Sequence, residues 1–254
     1  MPDRGLQQAI RAVGGVTELA RRVGISQPSV SNWTKIPAER VLAVEAISGI
    51  ARTVLRPDLY GDAELEDVDL GRAQEYALLG SLLVRAPDDL LLEKISHLRG
   101  DASALGVAHV ELAETAKHAD VDAISREYFD LFIGIGRGEL LPYASYYLTG
   151  FLHERPLARL REDLGRIGVA CAEGVVEPED HAGILCEIMS GLASGQLPAP
   201  ADSDRVIFEK HLAPWIGRFF ADLENTATAK FYRRVGMIGR LFTEIETEAF
   251  ALPS

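Results

Sequence analysis

Apolar side chains recur at intervals of three and four along this chain, and that period confines it to helices. Tyr76, Leu79, Leu82 and Leu83 share one helical face, as do Leu157, Leu160 and Leu164, and then Ile184, Leu185 and Ile188. Phe208, Leu212, Trp215 and Phe219 form a further stripe, and Tyr232, Val235, Ile238, Leu241, Phe242 and Ile245 the last one. No stretch alternates apolar and polar residues as a half-buried strand would, so the expected fold class is all-α. Helix ends are marked by Pro87, Gly100, the Ala119-Asp120 step and the loop glycines Gly165 and Gly168. Pro178 is placed at a first helical position, and Pro214 breaks or kinks the helix that contains it.

Charge divides the chain. Residues 1–61 carry eight Lys/Arg against five Asp/Glu, and the remainder carries 18 against 33. A basic head on an acidic body fits a nucleic-acid-binding module joined to something that is not one. No apolar run approaches the ~20 residues that span a bilayer. The opening MPDRGLQQAIRAVGG has no signal-peptide core, so no membrane insertion is expected and the cytoplasm is the expected compartment. Cys171 and Cys186 are not in CxxC spacing and read as buried thiols rather than a disulfide.

The first 61 residues read as a small helical domain. Leu6, Ile10 and Val13 share a face that ends at Gly14-Gly15. VTELARRVGISQPSVSNWTKI then reads as helix, turn, helix. Leu19, Ala20 and Val23 face inward, Gly24 supplies the left-handed residue, Ile25 fills the angle, and Ser26 caps the next helix, with Pro28 in its first turn. Val30 and Trp33 pack that helix down. Its other face carries Gln27, Ser29 and Asn32, with Lys35 at the far end, side chains suited to base edges and phosphates. GGVTELARRVGISQPSVSNW and the later PAERVLAVEAISG resemble the Cro/YdaS-like helix-turn-helix domains. That resemblance implies a further helix over 37–48, with Val41, Leu42, Val44 and Ile47 closing the core, and an extended tail from Arg52 to Leu59. It makes Gln27, Ser29, Asn32 and Lys35 the DNA-binding candidates. The alternative is a module that keeps the fold without an operator and serves docking or dimerisation.

An acidic run over 62–70 reads as a solvated linker, and 71–254 as the body. The centre of the body is EYFDLFIGIGRGELLPYASYYL, residues 127–148. Tyr128, Leu131 and Phe132 share a helical stripe, Gly134, Gly136 and Gly138 break the helix, and Pro142 starts the next one. The cluster of Tyr143, Ser145, Tyr146 and Tyr147 beside that loop is either packed core or a recognition groove. No strand precedes the glycines and no Lys-Ser/Thr pair follows them, so a P-loop is not expected. His97, His109 and His118 show no metal-ligand spacing and read as exposed helix-face residues. Asp180 and His181 with Ser145 suggest a hydrolase triad, but no nucleophile elbow supports one.

Three segments together resemble the signatures of the TorD/DmsD family, cytoplasmic chaperones that mature molybdenum-containing redox enzymes. They are residues 127–148, GVVEPEDHAGILCEIMSGL, and FEKHLAPWIGRFFADLENTATAKFYRRVG. The likeness covers about residues 70–248. It implies a TorD-like helical bundle with no catalytic activity, whose partner is the leader peptide and apoprotein of a molybdoenzyme catalytic subunit. A twin-arginine leader and a formate dehydrogenase-type client are implied. Glu127, Tyr128 and Ser145 carry over from the first signature as peptide-site candidates, with Tyr146 of the aromatic cluster, and Asp180 and His181 from the second. No stably bound cofactor is implied. A weak guanine-nucleotide or molybdenum-cofactor interaction and a homodimer stay open. The alternative function is a DNA-binding regulator that uses the bundle as a sensor.

Overall fold

The structure, a computed structural model, describes residues 3–50, 52–170 and 177–252. Every regular element among them is a helix. The chain divides into two compact units, Met1–Gly71 and Arg72–Ser254.

In the first unit, helix α1 (Arg4–Val13) begins where the Asp3 carboxylate accepts the Leu6 N–H at 2.9 Å. Helices α2 (Val16–Val23) and α3 (Gln27–Ser31) flank Gly24, whose φ of 78° takes the left-handed turn between them. Leu6, Leu19, Val30, Val41 and Val44 form the core as expected. Three details differ. The Ser26 hydroxyl bonds the Ser29 hydroxyl rather than a helix-end amide. The stretch after Pro37 is one 3-10 turn, Ala38–Arg40, before α4 (Val41–Ser48), which rolls Leu42 out to solvent. The segment read as an extended tail is helical, forming α5 (Arg52–Leu55) and the start of α6 (Pro57–Val84). Burial drives that last change: Leu55 is fully enclosed, and its carbonyl lies so close to Gly5 that any side chain there would collide with it. Residues 62–70, read as a linker, lie within α6.

The second unit holds the last part of α6, then α7 (Asp89–Ser96), α8 (Ala104–Lys117), α9 (Val121–Tyr128), α10 (Ala144–Thr149), α11 (Arg155–Arg166), α12 (Ala182–Ala193), α13 (Ser203–Ile207), α14 (Ile216–Asn225) and α15 (Phe231–Ala251). At the centre is α12, apolar almost all round over its first two turns: Ala182, Ile184, Leu185, Cys186, Ile188 and Met189 are buried, and Glu187 is its one exposed residue, with Ser190–Ala193 partly buried. Burial pushes the Cys186 thiol up to about 12; Cys171 lies outside the described residues. Helices α14 and α15 form a close hairpin. A Cβ on Gly236 would sit 2.6 Å from the Glu224 amide, and one on Gly239 2.3 Å from the Phe220 ring.

The predicted stripes are buried, with corrections at the ends of elements. Helix α7 stops at Ser96, short of Gly100. Pro178 precedes its helix rather than opening it, since α12 starts at Ala182. Pro214 does break its helix: a π-helical turn, Phe208–Leu212, gives way before α14, and the Trp215 indole N–H donates to the His211 carbonyl at 2.7 Å. On α15 the stripe continues from Phe242 to Glu246, leaving Ile245 half-exposed. Positions 238, 242 and 246 follow the four-residue ridge, so the buried place falls to a glutamate. It is satisfied there by Arg72 at 2.8 Å and the Tyr76 hydroxyl at 2.8 Å. His109 is likewise not an exposed residue; its Nε2 faces the Glu75 carboxylate at 2.9 Å.

Candidate functional site

Helix α9 runs into a π-helical turn, Phe129–Ile133, and stops at Gly134, φ 62°. The glycine loop returns on itself, with the Glu139 and Leu140 amides donating to the Asp130 and Leu131 carbonyls. Pro142 to Ser145 then meets the segment before α12. The Ala182 N–H donates to the Pro142 carbonyl at 2.7 Å, and the Ala144 N–H to the Asp180 carbonyl at 3.0 Å. Tyr143 and His181 thereby form an isolated antiparallel bridge. The two segments singled out in the sequence, 35 residues apart at Ser145 and Asp180, are thus one structural knot.

Each side chain in the knot has a defined task. Asp180, 1% exposed, accepts the Ser145 N–H at 2.9 Å and so holds the start of α10. His181 caps α12, its Nδ1 accepting the Gly183 N–H at 3.1 Å. That tautomer leaves the ring proton on Nε2. Burial holds the imidazole down at about 4 against the pull of Glu177 and Asp180. Tyr143 lies edge-on to His181 at 5.1 Å and donates to Glu177 at 2.6 Å. The Ser145 hydroxyl accepts the Glu154 N–H at 3.3 Å. Ser145, Asp180 and His181 meet, but through backbone amides and not in a hydroxyl–imidazole–carboxylate relay.

The other candidates lie on different attachments. The Glu127 carboxylate takes three amides at the start of α15: Lys230 at 2.7 Å, Phe231 at 3.2 Å and Tyr232 at 2.8 Å. Tyr128 donates to the Leu83 carbonyl at 3.1 Å and packs on Phe132 and Tyr232, and burial raises its hydroxyl to about 12. Tyr146 is half-exposed and takes the Arg137 guanidinium at 2.8 Å, which ties the glycine loop to α10. Tyr147 is partly buried against the core, donating to Asp222 and packing on Trp215 and Phe219. The tyrosine cluster is therefore mixed, one ring open and its neighbour packed.

Sequence reasoning missed three features. Ile135 is fully exposed on the glycine loop, and Leu148, Phe151 and Leu152 are exposed past α10. The signal was present in Ile135, since an apolar residue between two loop glycines has no helix face to bury on. A cleft of about 400 Å³ lies beside α10 and α11, lined by Leu148, Pro156, Leu160, Arg159, Lys210 and His211. A groove of about 610 Å³ runs between α8, α9 and the start of α15. In the first unit, Gln27, Ser29, Asn32 and Lys35 are all exposed, with Gln27 bonded to the Ser31 hydroxyl at 2.8 Å.

Residues 99–221 match the family model described as the nitrate reductase delta subunit, a span that contains all six peptide-site candidates of the body. The chaperone protein TorD of Vibrio cholerae serotype O1 is 27% identical over 165 residues, 61% of this chain and 71% of its own length. The chaperone protein YcdY of Escherichia coli K12 is 29% identical over 167 residues, 64% of this chain and 86% of its own. The TorD of Vibrio atlanticus is 23% identical over 206 residues, 71% of this chain and 94% of its own. The body of the chain is thus similar to chaperones of the TorD family. The head is separate: residues 6–64 match the family model described as bacterial toxin YdaS. No helix among the described residues is long and apolar enough to cross a membrane.

Proposed function

We propose that this protein is a TorD-type, non-catalytic maturation chaperone for a molybdenum-containing oxidoreductase. It binds the twin-arginine leader and the apoprotein of the catalytic subunit and keeps them in a state that accepts the cofactor; a formate dehydrogenase-type client is the favoured one. The observation that carries this reading is the knot of Pro142–Ser145 with Asp180–Ala182 in a chain whose relatives are chaperones. Such a knot joins two halves of the body without offering a reactive group, as a binding scaffold requires and a hydrolase does not. Guanine nucleotide or molybdenum cofactor, where either takes part, is a transient ligand in this reading. The cytoplasm is its compartment. The test is affinity capture of the full chain from its own cells with mass spectrometry of what is retained. A molybdoenzyme catalytic subunit with its leader intact is the expected result, and retention of no redox-enzyme subunit would overturn the reading.

A second reading concerns the head. Four exposed polar or basic side chains on and after α3, in a domain with a basic balance, suit duplex DNA. Binding would then weaken steeply with salt. Gel-shift titration of the full chain at two salt concentrations tests it; an unchanged mobility at low salt would leave the head as a docking or dimerisation module.

A further inference from the structure

We infer that the groove between α8, α9 and the start of α15 is where a basic, amphipathic helix of the client seats. The inference rests on the chaperone reading above and names the surface and the chemistry that reading leaves open. The floor is apolar, made by Val110, Ala119, Ala123, Ile124 and Phe231. Val107, one turn before Val110 and also exposed, extends the apolar face along α8.

The groove is built to stay open in one shape. Its walls are tied by the Glu111–Arg234 ion pair, 2.6 Å long and joining α8 to α15. The start of α15 is fixed by the three amide bonds to Glu127. A seat of fixed shape spares the partner the cost of ordering it. A volume of about 610 Å³ accommodates the apolar side chains of about two helical turns, as in other helix-in-groove complexes.

Charge selects the partner. Glu114 on α8 and Asp120 at the start of α9 stand at the rim, both more than half exposed. Their partners are weak ones: Lys117 one turn along the same helix, and Arg126 at 4.0 Å. The basic residues of the groove, Lys230 and Arg234, are on the α15 side. The acidic rim therefore draws the arginines of such a helix to the α8–α9 side, toward Glu114 and Asp120 and away from Lys230. The body's excess of acidic residues draws the same ligand in from a distance. The exposed residues Ile135 and Phe151, which stand on loops, are the competing surface.

The experiment is fluorescence-anisotropy titration of the full-length protein with a labelled synthetic leader of the cell's own molybdoenzyme, a twin-arginine motif followed by an apolar helix. Ala123→Arg places a bulky charge on the floor from an exposed position, and Glu114→Lys reverses the rim. The expected results are at least tenfold weaker binding for the first and about threefold for the second. A leader whose two arginines are replaced by aspartate is expected to bind Glu114→Lys better than it binds wild type. Ile135→Ser and Phe151→Ser are expected to bind as wild type does. Full affinity in both groove variants with loss in the loop variants would overturn the groove while leaving the chaperone reading intact. No saturable binding to the wild-type protein would overturn both.

Discussion

Glu127 is the candidate whose role the structure changes most, and replacing it gives a sharp test. Its Oε1 accepts the amides of Lys230 and Tyr232 and its Oε2 that of Phe231, so one carboxylate serves the free amides opening a 21-residue helix. In Glu127→Ala those bonds and a negative charge at a helix N-terminus are lost together. A lost cap costs about 0.5–2 kcal/mol and the lost charge–dipole interaction about 0.3–1 kcal/mol. Phe231 and Tyr232 are buried, so their amides regain little from water. The sum is about 1–3 kcal/mol, or roughly 2–12 °C in the melting temperature of a unit this size. Glu127→Gln keeps one acceptor oxygen and is expected to lose about 1 kcal/mol. The assay is urea unfolding followed by the fluorescence of Trp215, in a Trp33→Phe background so that only the second unit reports. Glu127→Ala within about 0.5 kcal/mol of its parent would refute the capping account, since that is the scatter of ordinary surface substitutions.

Glu246→Ala removes the buried carboxylate that takes two Arg72 hydrogen bonds, leaves the Tyr76 hydroxyl without that acceptor, and should lower stability by about 3 kcal/mol in the same urea assay. Gly236→Ala forces α14 and α15 apart and should cost about 1–3 kcal/mol. The His181 imidazole is held down at about 4 in the folded protein against 6.5 unfolded, so its contribution is present above pH 6.5 and is lost as pH falls from there toward 4. Urea midpoints measured across that window should fall less steeply in His181→Asn than in wild type. Cys186, buried with its thiol raised to about 12, should stay unreactive toward a thiol reagent in native Cys171→Ser protein and react on unfolding.

The helical period identified the core because burial is what fixes it: Leu79, Leu82, Phe219, Tyr232 and Val235 lie where spacing puts them. It erred where a neighbour outweighed the local pattern. Ile245 yields to Glu246 because Arg72 and Tyr76 can satisfy a buried carboxylate, which no local window contains. The tail at Arg52–Leu55 folds as helix because Leu55 has a slot beside Gly5, a contact 50 residues away in sequence. In the site, the segments around Ser145 and Asp180 were both legible as special, yet their joining through the Ser145 amide was not. A hydrogen bond between backbone and side chain leaves no spacing rule behind. Glu127 is the same case, an acidic residue whose three partners lie about 100 positions on. Pro178, with Glu177, Glu179 and Asp180 around it, reads as a helix start; the Asp180 contact to α10 delays that start to Ala182, with His181 as the cap.

The most direct test of the chaperone account is isothermal titration of the full-length protein with the molybdoenzyme catalytic subunit's leader peptide at several temperatures. The account predicts saturable one-to-one binding with a negative heat-capacity change, the mark of apolar surface leaving water, and weaker binding in the Ala123→Arg variant. No heat and no saturation with the leader, from a preparation whose second unit unfolds cooperatively, would contradict it.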